Sequence, residues 1–196
     1  MMESSNNEEI HRAIKRHQLE DSLRQECLGT ISERITRYLE LDFIEVTPNE
    51  QPFAPISAEC ILLYRDGHHF ACIALCQAVA EALVRFLCEK NGWNADDDFK
   101  KNILVLLRRR KISTDCYKHF KEIWKGRNDY HHLNPKVQTE RVKMQTIAKG
   151  KMIALHKVEL EVFAFEWVGG AIKPKYPKYW PETKDGLINV FLRFEP

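Results

Sequence analysis

The run Arg127-Asn128-Asp129-Tyr130-His131-His132 holds the residue types in this 196-residue chain best suited to chemistry. An arginine stays charged and presents a fork of donors that fits the oxygens of a phosphate, including one whose charge grows during a reaction. A histidine, with an unperturbed pKa near ~6.5, can take up and return a proton at neutral pH. Asn128 can hold an oxygen or a backbone group in place, and Tyr130 can donate to a phosphate or stack on a base. If helix geometry continues through the segment, His131 lies one turn from Arg127. The plainer alternative pairs Arg127 with Asp129 or Glu122 at a helix C-terminus, where cations are favoured, and leaves His131 and His132 to cap the turn.

Phosphate chemistry needs a field to match. The formal net charge is only +2, but Lys100, Lys101, Arg108, Arg109, Arg110, Lys111, Lys118, Lys121, Lys125 and Arg127 stand against Asp115 and Glu122 alone. Such clustering attracts phosphates even on a nearly neutral protein. Lys125, Lys121, Arg108 and Arg109 are therefore candidate phosphate contacts, as on a nucleic acid. Lys175 and Tyr176 join them from a loop, Lys173 to Pro181, that interleaves cations, prolines and aromatics. A solvated helix face and an ordered surface loop are the competing readings. His68, His69, His131, His132 and Asp129 lack metal-ligand spacing, so no metal or cofactor is implied.

Several helices must position these residues. Glu8 to Leu41 has no proline and one glycine, which predicts one or two helices. Pro48, Pro52 and Pro55 then mark a linker. Ser57 is expected to cap a short helix that stops near Gly67. From His69 to Cys88 the chain is apolar nearly all round, as expected of a central bundle helix or an interface. Its polar interior positions, Gln77, Glu81 and Arg85, fall on one stripe, where Glu81 and Arg85 can pair. Asn91-Gly92 ends it. A further helix is predicted over Asp97 to Lys111, and another from a Ser113 or Thr114 cap to about Arg127-Asn128. Asn134-Pro135 reads as the start of a helix reaching about Leu160. Val162–Val168 and Leu187–Phe194 read as two strands of a small antiparallel hairpin or edge, with Gly169-Gly170 as a turn signal.

The fold class expected is therefore mainly α: a bundle of about five helices over residues 57–160, an N-terminal helical arm and proline-rich linker over 1–56, and a two-stranded C-terminal extension over 161–196. No window approaches the roughly 18 apolar residues a membrane span requires, so no membrane is expected. The polar, acidic N-terminus is unlike an export signal, and six cysteines without a C-x-x-C pair read as reduced thiols. Both point to a cytoplasmic address.

The Arg127-Asn128 pair followed by His132, behind the glycine-led, alanine-rich run Gly67–Leu83 with its internal Glu81, resembles the signature of the HEPN superfamily over about Ser57 to Leu160. That resemblance implies a metal-independent endoribonuclease, in which the ribose 2′-hydroxyl attacks its own phosphate and leaves a 2′,3′-cyclic phosphate. It implies Arg127, His132 and Asn128 as catalytic residues with His131, Tyr130 and Glu81 in support, and a break in the helix would favour His132 over His131. It further implies a homodimer with a composite site, the His69–Cys88 helix or its neighbour at the interface, and a role as toxin or defence effector with a possible antitoxin or other partner protein. A catalytically silent module binding RNA or protein is the alternative.

Overall fold

The computed structural model describes residues 2–49 and 51–193. Helix α1 runs unbroken over Met2–Leu39, one helix for the one or two expected. Only its end docks: Arg37 is buried, while Ile10, Ile14, Leu19 and Leu23 stay exposed. Arg34 meets Asp66 at 2.7 Å and Arg37 Nε donates to the Arg65 carbonyl at 2.7 Å, which fixes the arm to the end of α2 (Phe53–Arg65).

Helix α2 starts earlier than the Ser57 cap predicted. Pro55 lies in its first turn, where a missing amide hydrogen costs no helical bond. Ser57 is consequently inside the helix, and its hydroxyl donates to Glu159 at 2.6 Å. Gly67, at φ +82°, closes α2.

Helix α3 (His69–Lys90) is the centre of the bundle. It is long and apolar enough to cross a membrane by length and composition, which corrects the expectation that no such window exists. Its own chain covers it: α2, α4 (Phe99–Arg108), α5 (Thr114–Trp124), α6 (Arg127–His131) and α7 (Arg141–Val162) all pack against it. Cys72, Ile73, Cys76, Ala80, Leu83 and Leu87 are fully buried, so α3 does not offer the broad apolar interface expected of it. A narrow strip through Ala71, Ala78 and Arg85 stays exposed.

Caps set the remaining boundaries. Asp98 accepts from the Lys100 amide at 2.8 Å to start α4, and Arg110 at φ +54° follows its end. Ser113 Oγ accepts from the Cys116 amide at 3.0 Å to start α5. This helix ends short of the predicted Arg127-Asn128 because Gly126 adopts φ +72° and α6 begins afresh. Helix α7 begins at Arg141, well after Pro135. Asn134 Oδ1 accepts from the Lys136 amide at 3.1 Å and Gln138 Oε1 from the Glu140 amide at 2.9 Å, side-chain bonds that compete with helix.

The strands pair differently from expectation. A hairpin does form at Gly169-Gly170, but between β2 (Phe165–Val168) and β3 (Ala171–Pro174). The later strand, β4 (Val190–Leu192), pairs antiparallel with β1 (Val46–Pro48) in the stretch read as linker; Phe194 lies outside the described residues. Pro48 is tolerated because a two-stranded sheet consists of edges. Next to β4, Arg193 donates to both Glu159 oxygens at 2.6 and 2.7 Å and to Ser57 Oγ at 3.0 Å, which joins β4, α7 and α2 through a buried ion pair. All six cysteines are free thiols; Cys72 and Cys76 lie 4.0 Å apart in the core.

Candidate functional site

The site begins with the backbone that precedes it. Carbonyls at the end of α5 have no helical partner, and burying them unpaired would be costly. Lys151 of α7 supplies the partner: its ammonium donates to the carbonyls of Ile123 at 2.6 Å, Lys125 at 2.7 Å and Glu122 at 3.3 Å. Gln77 of α3 adds bonds from Nε2 to Ile123 and Lys125 at 3.2 and 3.3 Å. Lys151 is buried, and desolvation lowers its pKa to about 8, while the negative end of α5 favours its cation. Two helices thus clamp the chain just before Gly126 turns it into α6.

Arg127 is the first residue of α6. Its guanidinium lies 4.8 Å from the Trp124 ring centroid, and Trp124 stacks on Phe99 at 3.9 Å with the planes 7° apart. One guanidinium nitrogen stands 3.7 Å from Glu81, which also binds Arg85 at 3.0 Å. Arg127 Nε is buried without a hydrogen-bond partner among the described residues. A cation held on an aromatic face and shared with a carboxylate keeps one orientation, with other N–H groups free for a ligand.

The short helix continues through Tyr130 to His131, so His131 lies one turn after Arg127. Burial lowers the His131 pKa first, followed by the charges of Arg127 and His132; Glu81 and the Ala74 carbonyl oppose the shift. The lowered pKa favours the neutral form of His131, which can accept a proton. His131 and His132 are both exposed, and His132, the C-cap of α6, lies beyond that turn. Tyr130 corrects the sequence reading: it is buried, 5.5 Å from the Phe70 ring, and packs the underside of α6 where a base cannot stack on it. Asn128 is exposed on the same helix as Arg127.

Arg127, Asn128, Lys121 and Lys125 border one open cleft of about 1000 Å³ between α4, α5 and α6, with Lys100 and Lys118 on its walls. Glu122 and Asp129 are its carboxylates, so cations outnumber them. The other predicted contacts lie elsewhere. Arg109 packs its guanidinium 4.5 Å from the Trp93 ring centroid, and Arg108 ends α4. Lys175 and Tyr176 stand near the far end of α3, where Tyr176 meets Tyr179 at 5.8 Å and Tyr179 meets Phe86. Trp124 and Lys151 were missed by motif reading. Lys151 did carry a signal, since it falls on the face of α7 marked by Ala148, Met152 and Leu155, where a lysine is out of place without a polar partner. Compared with protein-family models, curated proteins and solved structures, the chain matches none.

Proposed function

We propose that the protein is a metal-independent endoribonuclease of HEPN type, with Arg127 and His131 as its working pair. The observation that supports this reading best is Arg127 at the border of a cleft in which lysines outnumber carboxylates, with His131 one turn further along α6. An RNA backbone in that cleft meets Lys121, Lys125 and Arg127, and phosphate contacts of this kind supply affinity whatever the sequence.

In the reaction the ribose 2′-oxygen forms a bond to the adjacent phosphorus as the bond from phosphorus to the 5′-oxygen breaks. The 2′-hydroxyl proton goes to a neutral histidine, and the departing 5′-oxygen takes a proton from a histidinium; a 2′,3′-cyclic phosphate and a 5′-hydroxyl result. Arg127 meets the charge that builds on the non-bridging oxygens. His131 suits the base because burial and Arg127 favour its neutral form. The acid is His132 or the His131 of a second copy. The exposed strip of α3, the helix that α6 packs against, is where a second copy would dock to supply that histidine. In this reading the protein acts in the cytoplasm, as a toxin or defence effector with a possible antitoxin partner.

One observation favours a second reading, a silent module that binds RNA or protein: Arg127 is already engaged by Glu81 and Trp124. Incubation with mixed cellular RNA in excess chelator separates the two. The nuclease leaves fragments with 2′,3′-cyclic phosphate ends, and Arg127→Ala abolishes them. Wild-type protein that binds RNA and cuts none supports the silent module.

A further inference from the structure

A second polar pocket, of about 620 Å³, lies away from the cleft, between α1, the α2–α3 turn and the start of α7. Two long helices present their N-termini to it without side-chain caps. In α3 the first amide to find a helical carbonyl is that of Cys72, and in α7 that of Met144, so the amides before them are unspent. Each terminus carries positive partial charge and unpaired donors. Against that field the sequence adds cations. Arg141 is the first residue of α7, the wrong sign for its position, and it has no ion-pair partner among the described residues.

The second cation is Arg37, whose side chain is almost wholly buried. Its Nε is bound to the Arg65 carbonyl and one terminal nitrogen to Glu33, which aims the other across the α2–α3 turn. Gly67 faces both arginines: a Cβ there would stand in ordinary contact, 3.4 Å from Arg141 and 3.6 Å from Arg37. The pocket also contains His69, 2 % exposed, with neither ring nitrogen hydrogen-bonded among the described residues. A buried imidazole with both nitrogens unpaired is costly unless something polar completes it. The acidic groups nearby are mostly spent: Asp66 on Arg34 and Arg65, Glu33 on Arg37, and Glu140 on Lys143; Glu26 stands exposed on the α1 wall.

We propose that this pocket binds a phosphomonoester, with Arg37, Arg141 and the open amides of α3 as donors to the phosphate oxygens and His69 beneath them. The ligand class is a terminal phosphate, from a free nucleotide or from the 5′ end of an RNA. The site stands independently of the Arg127 cleft and of any nuclease activity.

The test is equilibrium titration of the full chain with inorganic phosphate, a nucleoside 5′-monophosphate, and one oligoribonucleotide with and without its 5′-phosphate. Saturable phosphate binding is expected, weakened by about tenfold or more in Arg141→Ala, as loss of a charge-assisted contact requires. Arg141 is exposed, so its removal spares the fold. A preference for the 5′-phosphorylated over the 5′-hydroxyl oligomer identifies an RNA end as the source. Equal binding of those two, with the mononucleotide still bound, identifies a free nucleotide. Absence of saturable binding by wild type, or equal binding by wild type and Arg141→Ala, overturns the site.

Discussion

Replacing Lys151 with methionine tests whether a buried cation seats the functional segment. The side chain spans the core to the carbonyls of Glu122, Ile123 and Lys125. Burial holds its pKa at about 8 against 10.5 for a free lysine. Between those two pH values the unfolded chain binds a proton that the folded chain does not, so wild-type stability rises with pH there. The shift corresponds to about 3 kcal/mol when the window is crossed completely, and roughly 2–3 kcal/mol between pH 7 and pH 10. Lys151→Met has no such proton. The Cys76 thiol and the Lys151 ammonium act on each other's charge, so both proteins compared carry Cys76→Ala. The stability of the protein with Lys151 minus that of its Lys151→Met variant then grows by about that amount from pH 7 to pH 10, and the titration of Tyr64 occurs in both and cancels. Urea unfolding followed by circular dichroism, at several pH values with reductant present, measures the difference. A gap that is constant with pH, or that narrows, refutes the reasoning.

Gly126→Ala forces a β-carbon into a left-handed conformation, which costs about 1–2 kcal/mol of stability in urea unfolding. The neighbours, at 3.7 Å or more from that carbon, are in ordinary contact, so the loss reflects the backbone alone, and RNA affinity measured by anisotropy should fall with it. Arg193→Met leaves Glu159 charged and buried and destabilises the fold by about 3–5 kcal/mol in urea unfolding. Arg193→Met combined with Glu159→Leu should recover most of that loss, and strictly additive losses would contradict the pairing.

The parts of this fold legible in the sequence were those set by local chemistry. Asn91-Gly92, Ser113 and the apolar run of α3 each fix an element by short-range rules, and each stands where those rules put it. Local signals misled where another partner competed. Asn134-Pro135 resembles a helix start, but Asn134 spends its side chain on the Lys136 amide and α7 begins six residues beyond Pro135. The partner of β4 was invisible because Val46–Pro48 carries a proline and no alternation, and the bonds that fix the pairing, such as that from the Arg193 amide to the Glu45 carbonyl, are long-range. At the site, the spacing from Arg127 to His131 followed from helix periodicity once α6 formed. The anchoring by Lys151 and the seat on Trp124 depend on which helices become neighbours, and a single sequence does not state that.

Cleavage rates for His131→Ala and His132→Ala, measured side by side on one RNA in excess chelator, test the central claim most directly. The account predicts that His131→Ala loses about 10²-fold or more, the range for a positioned proton-transfer group, and that its loss exceeds that of His132→Ala. A larger loss in His132→Ala, or undiminished cleavage in His131→Ala, would contradict the assignment of Arg127 and His131 as the working pair.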